Sequence, residues 1–341
     1  MNFYGKISLR YVRFLEKKTH SVFGWLFYFL LYALSVLYGI IVGARNRLYD
    51  TRILKTVPCC RPVISIGNIS WAGSGKTTLA AHMARKLGET LQVAVLRRGY
   101  GTDEGMLLAE KGVKVYSSAN RLSLSCQLRD SFDLFVLDDG FQYRKLYRDV
   151  NILLMAAREF TLSRALIPAS VFREPLNALG RADILVINRA GAAIDCGTIA
   201  RQLNCRFPKL SIYCASYRFT GFTDTHQGHL DLMQLANARV AAFSATGYPD
   251  GFFQMLTRAG VTLRATYIYP DHYQLTEADV AALEKKLVDA GVEYLCITHK
   301  DKFHFPNTPE GVRRVVAHIA IDIENEELFF NEVKRRLTIA G

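Results

Sequence analysis

The sequence predicts an α/β fold: a parallel-sheet domain, a second and smaller α/β domain after it, and a membrane helix in front of both. Three observations predict it. Short apolar, β-branched runs alternate with helical patterns from Pro62 onward, which is the signature of parallel βαβ units. A strand, a small-residue loop and a helix follow one another over residues 62–87. From Ser21 to Ala44 there is no charged residue at all. The expected division is 1–50 for the basic lead and membrane helix, 51–225 for the first domain and 226–341 for the second.

Taken in order, the first twenty residues carry Lys6, Arg10, Arg13, Lys17 and Lys18 against the single acid Glu16. The uncharged run that follows is long enough to cross a hydrocarbon core as a helix. Its aromatic residues and the flanking Lys17, Lys18, Arg45 and Arg47 suit headgroup zones, and both a full span and an in-plane anchor satisfy the pattern. The polar, basic segment from Asn46 to Arg61 reads as a link to the body of the protein.

The stretch Gly67-Asn-Ile-Ser-Trp-Ala-Gly-Ser-Gly-Lys-Thr77 lies between the strand Pro62–Ile66 and the helical pattern from Thr78. It is close to the P-loop pattern G-x-x-x-x-G-K-[ST], with Ser70 standing five residues before Gly75 where glycine is usual. Such a loop aims backbone N–H groups and a helix N-terminus at a phosphate chain. Gly73, Ser74, Gly75, Lys76, Thr77 and Thr78 are therefore the expected cofactor-binding residues for ATP, with the Thr77 hydroxyl on Mg²⁺.

The strand Gln92–Leu96 ends in Arg97-Arg-Gly-Tyr-Gly101, so Arg98 falls at a strand's carboxyl end, where open α/β sheets bind ligands. Thr102, Asp103 and Glu104 follow in what reads as a loop, and a carboxylate there is placed to take a proton from an attacking hydroxyl. Lys111–Tyr116 reads as a short strand and Arg121–Asp130 as a helix. The apolar run Phe132–Leu137 delivers Asp138 and Asp139 to a strand end, the Walker B arrangement for Mg²⁺. Val150–Met155 and Ala182–Asn188 read as further strands, with a proline-bounded loop carrying Arg173 between them. Asn188 lacks the Lys-x-Asp that a GTPase base-reading site needs after it.

The alternation restarts near Arg239, with strands at Val240–Ser244, Arg264–Tyr269 and Tyr294–Thr298 and helices at Gly251–Ala259 and Glu277–Ala290. Asp224–Leu235 reads as a hinge region. His272, beside Asp271, and the loop Thr298-His-Lys-Asp-Lys302 both follow strands of this second half.

The net charge of +12 calls for an acidic partner: nucleic acid, anionic membrane or phosphorylated substrate. No aromatic-interleaved basic motif or DNA-reading helix supports nucleic acid. The seven cysteines form no C-x-x-C pair and read as reduced thiols, with no zinc site expected.

Several stretches together resemble the tetraacyldisaccharide 4′-kinase family. They are Arg45-Asn-Arg-Leu-Tyr-Asp50, Pro62 to the P-loop, Arg98-Gly-Tyr-Gly101, Asp138-Asp-Gly-Phe-Gln142, Pro168-Ala169 to Arg173-Glu174, Gly247, Pro270-Asp-His272 and Lys300-Asp301. The resemblance implies a P-loop kinase-like domain and a second domain with the active site between them. It implies ATP- and Mg²⁺-dependent phosphorylation of the 4′-hydroxyl of an acylated disaccharide 1-phosphate, at the cytoplasmic face of the inner membrane, with no obligate protein partner. It also implies Asp103, followed by Glu104, and His272 as the catalytic pair. Arg98 and Arg173 are expected to contact phosphates of substrate or transition state, and Glu104 is a further substrate-binding candidate. Thr77, Asp138 and Asp139 are the metal candidates. The sequence departs from the family pattern at Trp71, Ala72, Gly105, Ser170 and His299, and in the single residue, Thr102, between Gly101 and Asp103. A membrane-tethered P-loop NTPase switch acting on a protein partner is the alternative reading.

Overall fold

The computed structural model describes residues 22–71, 75–99, 102–110, 112–162, 164–188, 195–224, 228–271, 273–305 and 312–339, with only the backbone at 22, 102–104, 161, 338 and 339. By internal packing the chain forms two compact units, one holding residues 22–216 and 321–339 and the other Tyr217–Ala320. The return of residues 321–339 to the P-loop unit differs from the expected 226–341 domain. The physical reason is a set of side-chain bonds made by the last helix.

In the P-loop unit, the strands are β1 (Val63–Gly67), β2 (Val93–Arg97), β3 (Lys114–Ser117), β4 (Leu134–Asp138), β5 (Val150–Ala156), β6 (Ile184–Asn188) and the first part of β7 (Ser211–Asp224). They lie in the order β7-β6-β5-β1-β4-β2-β3, every pair parallel. Strands β1, β2, β4 and β6 are buried at every position, as a parallel sheet covered on both faces requires. The chain first winds from β1 toward β3, returns to β4, and then builds outward on the other side of β1. The order thus reverses at β1, and ligands of open α/β sheets bind outside the carboxyl ends at such a point.

The helices of this unit are α1 (Val22–Asp50), α2 (Lys76–Leu87), α3 (Thr102–Glu110), α4 (Arg121–Leu128), α5 (Cys196–Arg206) and, near the end of the chain, α9 (Glu326–Ile339). Three expectations change here. Residues 46–50 continue α1 instead of opening a linker, because Asp50 pairs with Arg144 at 2.7 Å and Asn46 is bonded to the body. Thr102–Glu104 begin a helix where a loop was expected. Cys196 and Cys214 form a disulfide between α5 and β7, against the expectation of reduced thiols throughout.

Helix α9 is held by Glu326 to His82 of α2 at 2.6 Å, by Glu332 to Tyr213 of β7 at 2.8 Å, and by Arg336 to Asp183 at 3.2 Å. Those bonds seat it on the P-loop unit.

The other unit contains the second part of β7 with β8 (His229–Leu230), α6 (Leu232–Ala236), β9 (Val240–Ser244), α7 (Pro249–Arg258), β10 (Leu263–Ile268), α8 (Glu277–Asp289), β11 (Tyr294–Thr298) and most of β12 (Arg313–Ile323). Its strands β10-β9-β11-β12 are all parallel, which agrees with the βαβ alternation in the sequence. The expected hinge at 224–235 instead contains the antiparallel β7–β8 pairing and α6. Thr276 caps α8 by accepting from the Asp279 N–H at 3.2 Å, a capping box worth about 1 kcal/mol.

Candidate active site

The site is built where β1 and β4 end. At Gly67 a Cβ would lie 2.5 Å from the Cβ of Phe141, so only glycine lets the end of β1 approach the turn after β4 this closely. A Cβ on Gly140 would lie 2.6 Å from both Leu137 Cβ and Ser65 Oγ. These two contacts bring the P-loop entry against the Asp138-Asp139 turn. Gly75 stands before α2 at φ 91°, a left-handed conformation that favours glycine, and no side chain caps the helix there. An uncapped helix N-terminus preceded by a left-handed glycine is a ready anion site.

Five of the expected residues converge. Lys76 Nζ lies 3.8 Å from Asp139 Oδ1, and Thr77 Oγ1 donates to Asp138 Oδ2 at 3.3 Å. Arg173 grips Asp139 with both terminal nitrogens, at 3.0 and 2.9 Å, and also donates to the carbonyl of Asn68 at 3.2 Å. The loop that carries Arg173 is tied to the end of β1: its N–H donates to Ile69 O at 2.7 Å, while Trp71 N–H donates to Val171 O at 3.0 Å.

Asp139 has φ 51°, left-handed and uncommon for a residue with a side chain. Desolvation works against its ionisation, but the Arg173 hydrogen bonds and the Lys76 charge hold its carboxyl well below the usual carboxylate range. Arg173 is desolvated too, yet Asp139 holds its guanidinium protonated more firmly than usual.

Arg98 is exposed immediately after β2, near enough for its charge to act on Arg121. Thr78 lies in the first turn of α2. The side chains of Asp103 and Glu104 lie outside the described residues, as do Gly73, Ser74 and His272.

Other members of this constellation escape the sequence reading. Arg121, buried in α4, donates to the carbonyls of Asp138 and Asp139 at 3.3 Å and stacks its guanidinium 4.2 Å from the Tyr143 ring. Burial lowers its pKa. Gln142 donates to Asn68 O at 2.9 Å and to Glu174 at 3.1 Å. The buried Glu174 also accepts from Arg181 at 2.5 Å and from Asn46 of α1 at 2.9 Å. Gln142 and Glu174 stand inside segments already singled out, Asp138–Gln142 and Arg173-Glu174, and that adjacency is the signal that finds them. Arg121 has no such signal.

Residues 27–338 match the family model described as tetraacyldisaccharide-1-P 4′-kinase, LpxK. A Pelobacter propionicus protein called tetraacyldisaccharide 4′-kinase is 33% identical over 301 residues, covering 80% of this chain and 81% of that protein. A Geobacter metallireducens protein of the same name is 34% identical over 301 residues, covering 80% and 87%. The crystal structure of Aquifex aeolicus LpxK, described as an "apo" form in complex with ATP, superposes with a TM-score of 0.69 at 27% identity, covering 89% of this chain and 98% of that one.

Proposed function

The chain belongs to the tetraacyldisaccharide 4′-kinase family, and from that premise we propose that it transfers the γ-phosphoryl group of ATP to the 4′-hydroxyl of a tetraacyldisaccharide 1-phosphate. The observation that carries this reading is the convergence of Lys76, Thr77, Asp138, Asp139 and Arg173 where β1 and β4 end. The residues that hold ATP are Gly73 to Thr78, with Lys76 on the outer phosphates and the first N–H groups of α2 facing them.

The Thr77 hydroxyl and the Asp138 carboxylate are adjacent hard oxygen donors of the kind Mg²⁺ takes. Asp139 is engaged by Arg173 and Lys76, which favours Asp138 as the direct ligand. When bound, Mg²⁺ neutralises charge on the β- and γ-phosphates. Arg173 and Arg98 stabilise phosphate charge, and Glu104 orients the sugar. The sugar oxygen attacks the γ-phosphorus, the bond to the β,γ-bridging oxygen breaks, and ADP leaves. Asp103, polarised by His272, accepts the hydroxyl proton.

Helix α1 supports a seat in the cytoplasmic face of the inner membrane, lying in the bilayer plane. Its inner stripe faces protein: Leu31 and Ser35 are buried, Ser35 accepts from the Leu166 N–H at 2.8 Å, and Tyr38 donates to Arg173 O at 3.1 Å. The opposite stripe, Leu26, Leu30, Leu37, Ile40 and Ile41, is exposed and apolar. The docked stretch 31–50 is about 30 Å long. A crossing helix would carry the polar loops beside it into hydrocarbon, where unsatisfied backbone groups are not tolerated.

The test is incubation of purified protein with γ-labelled ATP and a disaccharide-1-phosphate lipid. Label is expected at the 4′ position, and Asp103→Asn is expected to lose about 100-fold or more in kcat with ATP binding intact. Nucleotide hydrolysis that ignores the lipid would favour the switch reading.

A further inference from the structure

The position where the common P-loop pattern has glycine carries Ser70, fully buried, and its hydroxyl donates to Oε1 of Glu159. Glu159 is itself fully buried in the single turn that follows β5. Its Oε2 accepts the Ala156 N–H at 2.7 Å. Neither Ser70 nor Glu159 has a part in the phosphoryl transfer described above. Burying a carboxyl group costs several kcal/mol unless its hydrogen bonds compensate. Here they come from a backbone amide and from Ser70, three residues past the end of β1.

Ser70 is held on three sides. Its N–H donates to Asn68 Oδ1 at 3.0 Å, its hydroxyl reaches Glu159, and its neighbour Trp71 bonds to Val171 O at 3.0 Å. The carbonyl of Asn68 accepts from both Gln142 and Arg173. The strand end is thus fixed on one side to the Arg173 loop and on the other to Glu159. Removing the Glu159 contact leaves the first side intact and frees the second.

We propose that Glu159 is a positioning residue of the nucleotide site, which through the Ser70 hydroxyl fixes the stretch that follows β1 and so the placement of Lys76 and the α2 N-terminus against the phosphates of ATP. This rests on the reading of the P-loop as the ATP site. It also gives Ser70 a reason to stand where glycine is usual, since glycine would leave the Glu159 carboxyl without that donor.

The experiment measures ATP affinity by calorimetry, and the KM for ATP and for the lipid separately, in the full-length wild type, Glu159→Gln, Ser70→Ala, Ser70→Thr and the double variant Ser70→Ala/Glu159→Gln. Glu159→Gln and Ser70→Ala are each expected to weaken ATP binding and raise its KM about tenfold, with the lipid KM within twofold of wild type. The double variant is expected to be no worse than either single one, since both remove one interaction. Ser70→Thr keeps the hydroxyl and is expected to keep wild-type ATP affinity.

Wild-type ATP affinity in Ser70→Ala or Glu159→Gln overturns the proposal, as do additive losses or equal shifts in both KM values. If Glu159→Gln does not fold, the contrast between Ser70→Ala and Ser70→Thr decides alone. Absence of ATP binding by the wild type would overturn the underlying site assignment instead, so the two failures are distinguishable.

Discussion

Asp139 concentrates the electrostatics of the site in one side chain, with a left-handed backbone, two bonds from Arg173 and the Lys76 ammonium at 3.8 Å. Its folded-state pKa lies below that of the unfolded chain, so its contribution to stability is present above the unfolded value of about 4 and is lost as pH falls through the folded value. Asp139→Asn is therefore expected to lower the melting temperature most above about pH 4, with the gap to wild type closing as pH falls below it. Thermal melts from pH 2 to 8 would check this, and a gap that widens toward acid would refute the pairing. Turnover is expected to fall about 100-fold or more, since the aspartate orients Arg173 and Lys76. Polar residues like this one are legible in sequence because they end apolar strands. Arg121 and Glu159 are not, because an arginine in a helix or a glutamate in a loop reads as solvated until packing buries it.

At the scale of elements, strands buried on both faces announce themselves as unbroken apolar runs, and β1, β2, β4, β5, β6, β9 and β11 are found within a few residues of where the sequence puts them. Strands β7 and β12 are hidden because partly exposed positions interrupt their apolar runs and their polar residues are engaged in bonds, as Tyr213 is to Glu332 and Arg313 to Asp224. Helix α1 shows the same limit in another form. Its apolar run is plain, but its last turns read as a linker, although Asn46 there donates to Glu174 and accepts from Arg181 at 3.1 Å and Arg144 at 3.3 Å. Asn46→Ala leaves three charged groups short of a partner, which costs about 1–3 kcal/mol. The expected result is a melting temperature lower by about 2–4 °C per kcal/mol. Because Tyr38 and Asn46 hold the Arg173-Glu174 segment, kcat per folded molecule is expected to drop as well, by up to about tenfold. Wild-type kcat in a destabilised variant would reduce α1 to an anchor.

For the whole molecule, the proposed membrane seat raises the question of how a protein of net charge +12 would meet a bilayer. Anionic headgroups attract basic surface by about 1 kcal/mol per nearby Lys or Arg, and the attraction decays within a Debye length. An apolar face must supply the rest, and the outward stripe of α1 is the continuous apolar face that follows from its docking. In-plane seating and spanning predict different depth profiles for that stripe. Spin labels at Leu26→Cys, Leu30→Cys, Leu37→Cys and Ile40→Cys, in a background with the exposed Cys60, Cys126 and Cys205 replaced by serine, would be read by power saturation in vesicles. In-plane seating requires similar shallow depths at all four sites, just below the headgroups, because residues on one stripe of a horizontal helix are level. A spanning helix requires depth to change by about 1.5 Å per residue, or about 20 Å from Leu26 to Ile40. That steep profile would also set the Tyr38 and Asn46 bonds, made from the same helix to the Arg173-Glu174 segment, at odds with the membrane-bound state, and would overturn the reading of α1 as both lipid seat and wall of the site.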